Sequence, residues 1–312
     1  MLGNRVVGFR NKELGNARRR RIRIREKFDR DADVVLYGGD TRKILRMIPR
    51  GSIQLIVTSP PYNLGKEYEK RVVPEKYKEQ QKEIIDLCVP LLRKSGSICW
   101  QVGNYMSPHS EVVPLDIMLY DFFKSNGLVL RNRIVWHFGH GLHSRTRFSG
   151  RYETVLWFTR DNSEYYFDLD SVRVSQKYPG KRHFKGPNAG KYSGNPLGKN
   201  PSDVWDIPNV KANHVEKTSH PCQFPIGLAQ RLVRSLSREG DWVLDPFLGT
   251  GTTACAAIIE GRKAIGAEIK PKYQKIARKR IEAAWNGTLR YRPHDRPVYQ
   301  PKAGSKLTVR EE

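Results

Sequence analysis

Residues 241–269, DWVLDPFLGTGTTACAAIIEGRKAIGAEI, constrain the fold more than any other part of the chain. Trp242, Val243 and Leu244 make a short apolar run suited to a buried strand. A loop from Pro246 to Gly251 supplies two glycines, and a segment beginning near Thr252 reads as a helix. KAIGAEI is a second apolar run. Strand, glycine loop, helix and strand in succession form a β-α-β unit, which needs two parallel strands in one sheet with a helix across its face.

The loop is also a candidate ligand site. Gly249 and Gly251 allow close approach to the backbone, and the helix start offers free N–H groups. Asp245 ends the first strand. Glu268 ends the second, seventeen residues past Gly251, where a carboxylate can accept both hydroxyls of a ribose. The loop is not GxGxxG, and no Lys follows its glycines as in a phosphate loop. An amino-acid-bearing nucleoside such as S-adenosylmethionine fits better than NAD or ATP.

The same texture recurs upstream. DVVLYGGD, SIQLIVTSPPY, SGSICWQVG and RNRIVWHFG are apolar runs, with helix-like stretches over 75–92 and 115–125 between them. This predicts a parallel sheet covered on both faces. The alternation stops between about 141 and 219. RYETVLWFT still has strand character, but the stretch from 171 to 202 holds no acidic residue and is rich in Gly, Pro, Lys, Tyr and Phe. It reads as an insertion or extended loop able to stack on bases and contact phosphates, since linkers are poor in aromatics. A helix from Ile226, the glycine-loop unit and a last helix from Pro271 complete the pattern.

Charge points to partners. Lys and Arg outnumber Asp and Glu by 56 to 32, giving +24 over 312 residues, so nucleic acid is the first candidate. ARRRRIRIREK, from Ala17, suits an arm that tracks phosphates. No apolar run approaches the ~20 residues of a membrane span, and no signal-peptide core is evident, so a cytoplasmic chain is expected. Cys88, Cys99, Cys222 and Cys255 form no CxxC pair, which predicts reduced thiols and no metal site.

VTSPPYN, from Val57, places two prolines at the end of an apolar run, with an aromatic directly after. With DPFLGTGTT (Asp245 to Thr253), this TSPPY stretch makes the chain resemble the amino-methylating DNA methyltransferases, in the order of the β class: catalytic motif first, cofactor motif later, variable insertion between. GD at Gly39-Asp40 and HPCQFP (His220 to Pro225) resemble two further motifs of the family. The resemblance covers roughly 33–284.

It implies a Rossmann-like α/β fold with a mostly parallel seven-stranded sheet and S-adenosyl-L-methionine as cofactor. Asp245, Phe247, Gly249, Gly251 and Thr252 would line the cofactor pocket, with Glu268 on the ribose and Asp40 near the adenine. His220, Phe224 and Pro225 would close over it. Ser59, Pro60, Pro61 and Tyr62 would be catalytic. The chain then divides into a basic arm (1–32), a catalytic half (33–140), a target-recognition insertion (141–219), a cofactor half (220–285) and a basic tail (286–312). Arg145, Arg147, Lys181, Arg182, Lys185, Tyr192 and Lys199 are candidate contacts to double-stranded DNA. A homodimer and a cognate restriction endonuclease are possible partners.

The chemistry explains the prolines. The exocyclic amine of cytosine or adenine is a poor nucleophile because its lone pair is delocalised into the ring. Acceptors on its protons localise that lone pair and take up developing positive charge. Ser59 Oγ and the Pro60 carbonyl can be those acceptors, and prolines add C=O without competing N–H. Tyr62 offers a face to a flipped-out base; stacking of about 1–3 kcal/mol is comparable to the cost of unpairing. Ser at the first motif position resembles the cytosine-N4 enzymes, whereas adenine-N6 enzymes more often carry Asp there. Either residue can accept an amino proton, so both bases stay open. Cytosine-C5 chemistry is disfavoured, because it needs a Cys nucleophile and the chain's Pro221-Cys222 lies in the segment expected to close over the cofactor rather than after a strand. Methylation of an RNA or protein amine, or DNA binding without catalysis, are the competing readings.

Overall fold

The computed structural model describes residues 20–299, apart from 108, 109 and 142. In chain order the strands are β1 (Ile24–Arg25), β2 (Val34–Gly38), β3 (Ile53–Thr58), β4 (Leu92–Val102), β5 (Asn104–Met106), β6 (Val112–Pro114), β7 (Val129–His137), β8 (Tyr152–Thr159), β9 (Val204–Asp206), β10 (Trp242–Asp245) and β11 (Lys263–Glu268). The helices are α1 (Thr41–Leu45), α2 (Pro74–Cys88), α3 (Leu115–Ser125), α4 (Ile226–Leu236), α5 (Thr252–Ile259) and α6 (Pro271–Trp285).

Nine strands form the main sheet in the order β1-β2-β11-β10-β3-β4-β8-β7-β9, and β5 and β6 pair separately. All pairs from β1 to β4 are parallel, β8 runs antiparallel to both β4 and β7, and β9 is parallel to β7. The expected seven strands are the inner seven. The difference lies in β1 and β9, edge strands of two and three residues, too short to carry a readable period.

Helices cover both faces, as the apolar runs require. Alternate residues along one strand serve opposite layers: Val34 and Leu36 pack with α4, α5 and α6, while Val35 packs with α1, α2 and α3. A strand buried on both faces has no polar side to show, so its sequence is continuously apolar. Helix α5 is buried along almost its whole length, which explains its run of Thr and Ala with no charge.

Two expected boundaries shift. β8 lies inside the stretch expected as an insertion, 141–219, yet it is a central strand of the sheet between β4 and β7. β9 lies inside it as well, so the longest part of that stretch outside the sheet is 160–203. It is folded back on itself: Val174 and Lys199 form a bridge, as do Arg182 and Tyr192, and His183 N donates to Lys191 O at 2.9 Å.

The basic arm expected over 1–32 lies partly outside the described residues. Its described portion is fixed to the domain by β1, by the Arg20–Asp33 ion pair and by Trp285, whose Nε1 donates to Arg20 O at 3.0 Å. Part of the C-terminal tail is held likewise. The buried Glu216 carboxylate accepts from Ile226 N at 2.8 Å and Arg292 N at 3.0 Å, joining the start of α4 to the tail.

Cys88, Cys99 and Cys255 are buried, Cys222 is exposed, and all four are free. Among the described residues no helix is long and apolar enough to cross a membrane.

Candidate active site

In an open parallel sheet the ligand crevice lies outside the carboxyl ends of the strands, where the winding direction reverses. Here the reversal falls between β10 and β3, and a cavity of about 740 Å³ opens there. The volume sits within the roughly 300–1,000 Å³ typical of ligand cavities. Its walls bring together chain segments far apart in sequence: Ser59 to Tyr62 after β3, and Phe247 to Thr250 after β10.

Of the sequence-predicted site residues, Asp40, Ser59, Pro60, Pro61, Tyr62, His220, Phe224, Phe247, Gly249, Thr252 and Glu268 line this cavity. Asp245, Gly251 and Pro225 do not. Asp245 lies behind the wall, 1% exposed, accepting from Thr58 Oγ1 at 2.6 Å and from Phe247 N at 3.0 Å. It thereby ties the strand of one motif to the strand of the other. Burial pushes its carboxyl up to about 6, against hydrogen bonds from Thr58, Thr253 and the Phe247 backbone that pull it down. Gly251 caps α5 at φ 81°. A Cβ there would stand 3.1 Å from Ala277 Cβ, so this glycine serves the close packing of α5 on α6. Pro225 caps α4.

Glu268 ends β11 with its carboxylate turned to the cavity. It accepts from Lys270 N at 2.7 Å, and burial raises its pKa. Gly249, at φ 54°, places its backbone beneath His220, whose ring closes the far side. His220 stacks on Tyr68 with centroids 5.0 Å apart and packs against Tyr273 at 4.5 Å. Burial lowers its pKa to about 4, so the ring is neutral near pH 7. Asp40 caps α1 and holds the Arg42 guanidinium.

The motif loop is buttressed from Pro61 to Leu64. Tyr77 Oη donates to the Pro61 carbonyl at 2.9 Å, next to the Pro60 carbonyl expected to act as acceptor. Asn63, at φ 62°, exchanges two hydrogen bonds with the Val72 backbone, both at 2.7 Å. Glu69 accepts from Asn63 N and Leu64 N, each at 2.8 Å. The Tyr62 hydroxyl is enclosed, lying 3.1 Å from Ser59 Oγ and donating to Glu153 at 3.1 Å.

Sequence reasoning missed Glu153, Gln101, Tyr68 and Tyr77, which line the same cavity. A signal existed for the first two. Glu153 opens the otherwise apolar run YETVLWFT, and Gln101 interrupts SICWQVG, each a polar residue in a buried strand. The predicted DNA contacts lie apart from these walls. Arg145, Arg147, Lys181, Arg182, Lys185, Tyr192 and Lys199 are exposed, and the Arg182 guanidinium covers the Tyr192 ring at 4.1 Å.

The sequence profile of the DNA methylase family of N6/N4 type matches residues 53–279. The chain is 50% identical over 242 residues to the type II methyltransferase M.BglII of Bacillus subtilis, covering 78% of this chain and 67% of that one. It is 32% identical over 270 residues to the DNA adenine methyltransferase YhdJ of Escherichia coli K12, covering 83% and 85%. Among solved structures, the cytosine-N4-specific PvuII DNA methyltransferase superposes with a TM-score of 0.64 at 23% identity, over 82% of this chain and 92% of that one. A DNA modification methylase of Thermus thermophilus, solved with S-adenosyl-L-methionine, gives 0.58 at 27% identity, over 81% and 96%.

Proposed function

Since this chain belongs to the N6/N4-type DNA methylase family, we propose that it methylates the exocyclic N4 amine of a flipped-out cytosine in duplex DNA. The observation that carries this reading is Ser59. It stands first in the motif SPPY, its hydroxyl at the wall of the cavity that also holds Glu268 and Gly249. A neutral hydroxyl at that position resembles the cytosine-N4 enzymes.

The family uses S-adenosyl-L-methionine, and the residues present fit it. Glu268 offers a largely buried carboxylate to a ribose, Gly249 a backbone without side chain, and Phe224, Phe247 and His220 apolar and aromatic walls. The buried Asp245 carboxylate adds negative character behind them, suited to a cationic ligand. When bound, the cofactor supplies an activated methyl group.

The protein's own part is positioning. Ser59 Oγ and the Pro60 carbonyl hold the amino hydrogens, so the nitrogen lone pair localises and points across the cavity. The Tyr62 ring would support the base, and the stacked His220 and Tyr68 rings would flank the cofactor. Lys181, Arg182, Lys185 and Lys199, with Arg145 and Arg147, would track the duplex phosphates, and Tyr192 would stack. Residues 160–203 would read the target sequence.

A DNA substrate puts the protein with the chromosome. Likeness to type II methyltransferases supports a partner endonuclease, and a homodimer remains part of the proposal. The second reading, adenine-N6 transfer, is favoured by the likeness to YhdJ. Sequencing DNA from cells that express the protein, with detection of modified bases, separates the two: N4-methylcytosine at a fixed site supports the first reading, N6-methyladenine the second.

A further inference from the structure

Glu153 has no part in the motifs, yet its carboxylate bonds directly to one of the motif hydroxyls. It sits at the second position of β8. Its neighbours are neutral: Gln101 Nε2 on β4 donates to it, Gly103 approaches it closely, and Trp136 is its register partner on β7. The titratable group that faces it is Tyr62, whose hydroxyl bonds it at 3.1 Å. Arg151, two residues before it, donates to the Gly150 carbonyl and reaches the His143 ring. The three groups stand in line: Ser59 Oγ to Tyr62 Oη 3.1 Å, and Tyr62 Oη to Glu153 Oε2 3.1 Å.

This line has a direction. An ionised carboxylate only accepts, so the Tyr62 proton points to Glu153. The Tyr62 oxygen then accepts the Ser59 proton. The lone pairs of Ser59 Oγ are thereby left for the cavity, where a target amine would place its hydrogens. A hydroxyl alone has no preferred sense; Glu153 supplies one.

We propose that Glu153 is the proton acceptor of the methyl-transfer site, reached from the target amine through Ser59 and Tyr62. The proposal rests on the methyltransferase reading above, and it holds for either base. As the amine nitrogen bonds to the methyl carbon, the sulfur–carbon bond breaks and its electron pair stays on sulfur. The nitrogen is then positive and releases one proton to Ser59 Oγ. Ser59 passes its own proton to Tyr62, and Tyr62 passes its own to Glu153. The products are a neutral methylated amine, a neutral thioether and a neutral carboxylic acid, and the acid returns its proton to solvent on product release. Burial raises the pKa of Glu153, which suits a group that must hold a proton briefly near neutral pH. Because it works through Tyr62, Glu153 is a positioning residue with respect to the substrate.

The test uses the full chain and duplex DNA carrying its mapped site, with labelled methyl donor. Glu153→Gln should lower kcat about 100-fold with cofactor affinity unchanged. It should also remove the acid limb of the kcat–pH profile, which the wild type should show above the ordinary carboxylate range. Tyr62→Phe keeps the ring and cuts the line, so it should do the same, and the double variant should fall no further than either single one. Glu153→Asp should restore part of the rate.

Wild-type kcat and an unmoved acid limb in Glu153→Gln would overturn the proposal, as would multiplicative losses in the double variant. Should Glu153→Gln fail to fold, the acid limb of Tyr62→Phe alone decides. A wild type that labels no DNA would instead overturn the methyltransferase reading.

Discussion

Individual residues at this site do opposing work for stability and for binding. Asp245 is the clearest case. Its carboxyl titrates near 6 in the folded chain, against about 3.9 unfolded. Between those values the folded chain holds a proton that the unfolded chain has released, so stability falls as pH rises through that window and stays lower above it. Asp245→Asn should therefore raise stability at pH 7.5 by up to about 3 kcal/mol and change it little at pH 4. Urea unfolding at both pH values checks this, and an equal effect at both would contradict it.

Glu268→Ala removes a carboxylate that faces the cavity directly, so it should weaken cofactor binding roughly tenfold to a hundredfold. Calorimetric titration measures that loss. Tyr62→Ala should lower turnover while sparing cofactor affinity. Full activity on duplex DNA in that variant would refute base stacking on Tyr62.

At the scale of elements, the loop after β3 is built to stay still. Asn63 holds a left-handed backbone and ties Val72 by two hydrogen bonds, which explains the residue that follows the tyrosine in VTSPPYN. Asn63→Ala loses both bonds and strains the turn, so it should cost about 2 kcal/mol and lower the melting temperature. Asn63→Gly relieves the backbone and should lose less; equal losses would show that the backbone conformation is not strained.

Much of this scale is legible in the sequence. The bounds of α3 and the starts of α4 and α6 follow from period and proline alone, because each helix presents one apolar face to the sheet. β8 reads as part of an insertion, because a central strand that returns after a long break has no local mark of its partner. β1 and β9 have too few residues to read. Within the site, the two motifs are visible because their types and spacing are peculiar. The Ser59–Tyr62–Glu153 line is not, because it joins residues 91 positions apart through pairing of β8 with β4.

At the scale of the molecule, an excess of 24 positive charges meets a cavity that is not itself basic in its walls. Residues 171–202 carry seven Lys and Arg and no acidic residue, and we propose that this segment meets the duplex. Substituting Lys181, Arg182 and Lys185 together by Ala should reduce the slope of log affinity against log salt by up to about 3, if each meets one phosphate, and leave cofactor binding alone. An unchanged slope would remove this segment from the DNA surface.

The site built by TSPPY and DPFLGTG is proposed to methylate an amine of DNA, and Ser59 favours that of cytosine. Purified protein incubated with labelled S-adenosyl-L-methionine and duplex DNA, followed by digestion to nucleosides, tests it most directly. The expected label is in N4-methylcytosine. Label in N6-methyladenine would contradict the choice of base, and DNA without label would contradict the claim itself.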